Sequence, residues 1–410
     1  MTSLETEAGT GEVERRALTA ARRAFGTDWR PDRISIAPGR IELLGNHLDY
    51  NGGPVLCAAI DRHVAVAAAE GPAGGWDVRA VAADNPSLGV VAFDAESVRD
   101  WRNPERPPAT DAYLRGLVAG TLARDNLSLR RPTELALAGD VPLGFGLSSS
   151  AALCVSLGLA LVEPRPSDHD LVLLAQEAEH RAGTPCGTMD QSASVAGGVI
   201  RFDGATLAVE RLSPDLGDFV FAVVDSGVER SLGVSSYPIR VAESRAALEH
   251  ATRALGLALP HLAALSQDDL ERLSAGLDPL PPPLLARARH VVTETARVDR
   301  GEAAIQAGDW EGFGELMTAS GRSSATDYAI SHPQVEELVG DALRVDGVLG
   351  ARMMGGGEGG AVLVLLRRDR VPGLEAALRR GFFARHGMTD RSDLVHACAF
   401  SAGAQVRHVG

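Results

Sequence analysis

The chain has 410 residues, which is long for one compact core and suits two domains. With 45% hydrophobic and 23% charged residues it reads as a folded globular protein and not as a disordered one. A net charge of −14 argues against nucleic acid and anionic membranes as partners, so a site for a phosphorylated ligand must be built locally against the global field.

All 40 basic residues are arginine. A Walker-type phosphate lysine, a Schiff base and a lysine general base are therefore excluded. The 4 cysteines, Cys57, Cys154, Cys186 and Cys398, are scattered without a CxxC pair and read as reduced thiols of a cytoplasmic protein.

In chain order, the acidic opening "MTSLETEAGTGEVERR" does not read as a signal peptide. Glu12 to Phe25 has an amphipathic helical pattern. "RISIAPGRIELLG" follows as a strand broken by Pro38-Gly39. "HVAVAAAE", "LGVVAFD" and "ELALAGDVP" are strand patterns, and "AALCVSLGLALV" reads as a buried helix too short to span a bilayer. "DLVLLAQEAEHRAG" predicts a helix ending at Gly183, and "FVFAVVDSG" a strand of the second half. A Pro-rich patch, "LDPLPPPLL", separates helices. From Val291 to Leu349, "DALRVDGVLG" included, the pattern is mostly helical; "ARMMGGGEGGAVLVLLRRD" is then a glycine turn entering a strand. Strands and helices without strict βαβ alternation predict an α+β architecture of two domains, with the boundary near residues 205–220.

Four segments carry chemistry. "RIELLGNHLDYNGGPV" sets Arg40, Asn46, His47 and Asp49 ahead of a tight Asn-Gly-Gly turn. "GDVPLGFGLSSSAAL" places glycines and three serines on the start of an apolar helix, where unpaired N–H groups and the helix dipole favour an anion. In "GTPCGTMDQSAS", Asp190 is either a helix N-cap or a working base. "GARMMGGGEGGAV" contains G-x-G-x-x-G spacing, but a strand follows and no βαβ unit frames it, so a glycine hairpin approaching a ligand or another loop is the better reading.

In this order the segments resemble the GHMP small-molecule kinases and, within them, the galactokinase family. "APGRIELLGNHLDYNGG" is similar to the family's sugar signature, "VPLGFGLSSSAAL" to its phosphate loop and "CGTMDQ" to its C-G-I-M-D-Q. "SSYPIRVAESRAAL" is similar to the segment with a sugar-contacting tyrosine, and "RMMGGGEGG" to the last motif. The resemblance implies a two-domain GHMP kinase fold: residues 1–210 form a mixed sheet with helices, and residues 211–410 a ferredoxin-like α/β sandwich. It implies γ-phosphoryl transfer from ATP to the anomeric hydroxyl of a sugar, with Mg²⁺. Asp190 would be the general base, with Arg40 beside it. The backbone of Gly144, Gly146, Leu147, Ser148, Ser149 and Ser150 would cradle the phosphates, and Ser150 and Glu179 would hold Mg²⁺. Asn46, His47, Asp49, Tyr237 and backbone near Gly356 would hold the sugar. The implied partners are a sugar and ATP, with no nucleic acid and no membrane, in a monomer or weak homodimer.

Departures cluster near the sugar. Glu42 replaces the usual Asn, Asn46 the usual Glu, Leu48 and Met354 the usual Thr, Glu358 the usual Phe and Gly321 the usual His; Thr110 stands near the position of a usual Trp. Asn46 removes a negative charge and adds N–H donors. A changed selectivity at C6, extending to galacturonate, 6-deoxygalactose or L-arabinose, is therefore an expectation beside galactose itself. A GHMP kinase for another alcohol and a non-catalytic sugar sensor are the competing readings.

Overall fold

A computed structural model of the chain describes residues 3–103, 108–228 and 236–409. Met1 and Thr2 of the acidic opening, and Ser235 at the head of the tyrosine segment, lie outside the described residues.

Helix α1 (Ser3–Phe25) leads into β1 (Arg33–Leu44), β2 (Pro54–Glu70), β3 (Val78–Ala82) and β4 (Val90–Phe93). Helix α2 (Thr110–Leu122), the short β5 (Ser128–Leu129) and β6 (Thr133–Gly139) precede α3 (Ser149–Leu161). Then come β7 (Val162–Glu163), α4 (Asp168–Ala182), α5 (Met189–Ala196), β8 (Val199–Asp203) and β9 (Val209–Leu212). The large sheet runs β4-β3-β6-β2-β1, with β8 and β9 added along the other half of the long β2.

Alternation along β2 divides two cores. Val64, Val66 and Ala68 face the main core with α3, while Ala65, Ala67 and Ala69 face α1 through Val13, Ala17 and Ala21. The small side chains on the α1 side let that helix lie close to the sheet.

The expected break at Pro38-Gly39 is instead a bulge within one strand, where the β1–β2 register shifts between Pro38 and Arg40. The bulge is functional in position. A Cβ at Gly39 would lie 2.8 Å from the Leu147 carbonyl, and Arg40 N–H donates to that carbonyl at 3.1 Å. Glycine at 39 thus lets the phosphate-loop segment dock on the strand that carries Arg40.

The second sheet begins at β10 (Phe219–Asp225). Helices α6 (Tyr237–Leu255), α7 (Gln267–Ala275), α8 (Pro282–Ala307), α9 (Trp310–Thr326) and α10 (Pro333–Leu343) follow. The chain continues through β11 (Val348–Met353), β12 (Ala361–Arg367), α11 (Val371–Arg380), α12 (Phe382–Arg385), β13 (Val395–Ala397) and β14 (Gln405–His408). The order is β11-β12-β10-β13, antiparallel throughout. The last strand, β14, returns to pair with β1 in the first sheet. One correction concerns "DALRVDGVLG": the helix stops at Leu343, Gly347 turns at φ +85, and Val348 already belongs to β11. Glycine in the left-handed region ends the helical pattern there.

Candidate active site

The phosphate loop and α3 form the first wall of the site. Gly144 and Gly146 have φ near +80 and +75, and Ser148 is a non-glycine residue at φ +57. A left-handed serine costs on the order of 1 kcal/mol and persists where its surroundings hold it. Here the hold is visible: Ser148 Oγ donates to Asp190 Oδ2 instead of capping α3. The N-terminal N–H groups of the thirteen-residue α3 therefore remain available to an anion.

Asp190 is the second residue of α5, whose N-cap is Thr188, so its carboxylate is not the cap. Arg40 reaches its Oδ1 through Nε at 2.9 Å and Nη2 at 2.7 Å. Burial disfavours the Arg40 charge, but Asp190 and then Glu42 outweigh it and hold the guanidinium pKa above its ordinary value.

Glu179, on α4, is 2% exposed; its carboxylate accepts from Ser150 Oγ at 2.6 Å and from the Gln191 amide. Burial pushes its pKa up to about 7, opposed by the Ser150 hydrogen bond and reinforced by Asp190. Glu177, the acidic neighbour, turns instead to Arg124 and Arg181.

The opposite wall holds His47, at φ +59, and Asp49. His47 Nδ1 meets Tyr50 Oη at 2.8 Å, Tyr50 meets Tyr328 at 2.8 Å, and Tyr328 meets Ser244 Oγ at 2.7 Å. Tyr237 packs its ring 5.4 Å from that of His47. Asp49 approaches so closely that a Cβ at Gly187 would sit 1.9 Å from its Oδ2. Burial, then the charge of Asp190, raises the Asp49 pKa to about 7.

These walls line a cleft of about 270 Å³, bordered by Arg40, His47, Asp49, Gly144, Gly146, Leu147, Ser148, Ser149, Ser150, Glu179, Asp190, Tyr237 and Gly356 among others. Every site residue expected from the sequence is brought there except Asn46. Sequence reasoning also missed Glu42, Cys186 and Gly187 as lining residues. Glu42 was legible: it lies two residues beyond Arg40 on a regular strand, hence on the same face.

Known proteins resemble this chain along most of its length. The galactokinase galactose-binding signature matches residues 22–70, and the N-terminal and C-terminal GHMP kinase domain models match 113–198 and 302–384. The galactokinase of Roseiflexus sp. (strain RS-1) is 37% identical over 385 residues, covering 91% of this chain and 92% of its own. That of Homo sapiens is 34% identical over 366 residues, covering 87% and 89%. The chain belongs to the galactokinase family. The solved structure of Lactococcus lactis galactokinase complexed with galactose superposes with a TM-score of 0.84 at 28% identity, covering 97% of this chain and 99% of that one. The fold is accordingly the two-domain α+β GHMP kinase fold.

Within this family member, Asn46 is the expected sugar-site residue that the structure does not bring to the cleft surface. Its side chain is fully buried and does not line the cleft. Its Nδ2 donates to Glu42 Oε1 at 3.0 Å and to the Gly355 carbonyl at 2.8 Å, and its Oδ1 accepts from Ser324 Oγ at 3.1 Å. The amide is consumed in holding the wall. The other departures also have places. Leu48 and Met354 are core residues, and Glu358 accepts from Ser236 N–H at 2.8 Å, at the start of the helix that carries Tyr237.

Proposed function

We propose that the cleft transfers the γ-phosphoryl group of ATP to the C1 hydroxyl of D-galactose, giving galactose 1-phosphate and ADP. The observation that carries this reading is the Arg40–Asp190–Ser148 constellation beside the N-terminus of α3. Asp190 accepts the hydroxyl proton as the C1 oxygen bonds to γ-phosphorus and the bond to the β,γ-bridging oxygen breaks. Arg40 orients the carboxylate and faces the charge on the moving phosphoryl group. The phosphate loop supplies N–H donors without a lysine. His47, Asp49 and Tyr237 hold the sugar, and Gly356 contributes backbone. The galactose in the Lactococcus lactis complex supports the choice of sugar.

The residues fit Mg²⁺. Glu179 is a buried carboxylate that accepts hydrogen bonds from a hydroxyl and an amide, and burial raises its pKa against the smaller opposing pull of the Arg40 charge. Ser150 and Glu179 would hold the ion through oxygen. No group of three or more His, Cys, Asp or Glu suited to a metal exists among the described residues, so phosphate oxygens and water would complete the shell. When bound, Mg²⁺ offsets phosphate charge in a cleft lined by Arg40 but also by Glu42, Asp49, Glu179 and Asp190.

We read residues 1–210 and 211–410 as the two domains, supported by the change of sheet between Leu212 and Phe219. No described helix is long and apolar enough to cross a membrane, and all four cysteines are free.

The test is ADP release with ATP, Mg²⁺ and a panel of free sugars, with the phosphorylated product identified by ³¹P NMR. Galactose-dependent ADP formation with a C1 phosphate is expected. Sugar binding without turnover would replace the reading by that of a sensor.

A further inference from the structure

The exchange at positions 42 and 46 is reciprocal, and the two side chains touch. Where the usual motif has Asn then Glu, this chain has Glu42 then Asn46, with Asn46 Nδ2 at 3.0 Å from Glu42 Oε1. The carboxylate has not left the wall; it has moved from the turn to the strand. Glu42 lines the cleft and Asn46 stands behind it.

The surroundings pair the Glu42 carboxylate with a buried arginine and leave it acceptor capacity to spare. Arg352, fully buried, donates Nη2 to Glu42 Oε1 at 2.8 Å and Nη1 to the Leu43 carbonyl at 3.0 Å. Helix α9 presses on this arginine: a Cβ at Gly321 would lie 2.8 Å from the Arg352 Cβ. Both short bonds to the carboxylate fall on Oε1, while Oε2 has a 3.3 Å contact from Asn46. A carboxylate offers about four acceptor sites, so Oε2 can still take a hydroxyl proton.

The strand sets the distance. Arg40 and Glu42 are paired regularly with Ala59 and Cys57 on β2, so their side chains leave the same face about 7 Å apart. Arg40 marks the transfer end through Asp190, and Glu42 leaves the same face of the strand about 7 Å further along, a span on the order of one sugar ring.

We propose that Glu42 is the residue that selects the sugar at its far edge. Its Oε2 accepts the hydrogen bond of the exocyclic C6 hydroxyl, and Arg352 and Asn46 act as positioning residues for it. The inference rests on the sugar-kinase reading and deepens it. It reverses the expectation drawn from Asn46 alone: the wall stays anionic. A C6 carboxylate is repelled, and a C6-deoxy sugar leaves a buried acceptor unsatisfied.

The test is steady-state kinetics and direct binding with galactose, galacturonate and 6-deoxygalactose on four proteins. These are the parent chain, Glu42→Gln, Asn46→Glu and the double exchange Glu42→Asn/Asn46→Glu. The parent is expected to prefer galactose over both analogues by about 100-fold or more in kcat/KM, since buried polar groups enforce such ratios. Glu42→Gln should raise KM for galactose about tenfold, leave kcat nearly unchanged and reduce the preference over galacturonate about tenfold, a shift in ratio that mere loosening would not produce. Each single change at the pair should lower kcat/KM for galactose, and the double exchange should recover most of the loss because the carboxylate is restored beside Arg352. Three outcomes each overturn the inference alone: a parent that phosphorylates galacturonate as well as galactose, a Glu42→Gln variant with the parent's ratio, or a double exchange no better than the worse single. A parent that phosphorylates no sugar overturns the sugar-kinase reading and the inference with it. The parent's own ratios decide the matter should a single variant fail to fold.

Discussion

The two ends of the cleft are built by different means. The transfer end is built within the half of the molecule that holds the first sheet: a glycine loop, a helix N-terminus and an arginine on an adjacent strand, with Arg40, Ser148 and Asp190 in direct contact. The sugar end is made of long-range structure. Glu42 is held by Arg352, Asn46 by Gly355 and Ser324, and His47 by a chain running through Tyr50 and Tyr328 to Ser244. At the sugar end the hydrogen-bond partners come from both sheets' halves of the molecule. Chemistry therefore depends on a few adjacent residues, and selectivity depends on how the halves meet.

The comparison predicts that substitutions at the transfer end act on kcat. Asp190→Asn should show the largest effect, a fall of about 10²–10⁴-fold in kcat with sugar binding retained, measured by initial rates and by calorimetry with galactose. Full activity in Asp190→Asn would remove the base from the mechanism. Arg40→Lys comes next. It keeps the charge but loses the fork on Asp190 Oδ1, so kcat should fall about 10²-fold, with a smaller change in sugar KM. An effect confined to KM would place Arg40 at the sugar end instead.

At the sugar end, Tyr328→Phe removes a hydroxyl that meets Tyr50, Asn51 and Ser244. Leaving those groups unpaired should cost about 1–3 kcal/mol of stability by denaturant unfolding. Galactose KM should rise severalfold with kcat nearly unchanged. A fall in kcat at constant KM would mean that the two ends are not separable.

The same contrast decides what was legible in the sequence. Gly144 to Ser150 is one contiguous segment whose residue types state their purpose, and α3 follows it at once. The strand alternation of β2 and the close of α4 at Gly183 were legible for the same local reason. The role of Asn46 was not. Its neighbours Glu42, Ser324 and Gly355 are 4, 278 and 309 residues away in sequence, and nothing local says that the amide is consumed by them. Pro38-Gly39 failed similarly: a breaker by propensity, it is a bulge because Leu147 of a distant loop packs on Gly39.

The smallest effect is a titration. Asp49 is held at about 7, above its usual 3.8, by burial and by Asp190. In the ligand-free chain, an unfolded Asp49 ionises near pH 4 while the folded one keeps its proton to about 7. Between those values the folded state binds more protons, so this group's contribution to stability is full below pH 4 and is lost as pH rises through 7. Sugar hydroxyls act in the opposite direction. They donate to the ionised carboxylate, favour that form and should bind more tightly as pH rises through 7. Galactose binding at pH 6 should therefore release a proton, and at pH 8.5 should release almost none. Calorimetry in two buffers of different ionisation enthalpy measures this directly. Proton uptake at pH 6, or an affinity that does not change from pH 6 to 8, would show that Asp49 does not meet the sugar as an anion, and would leave Glu42 as the carboxylate that reads it.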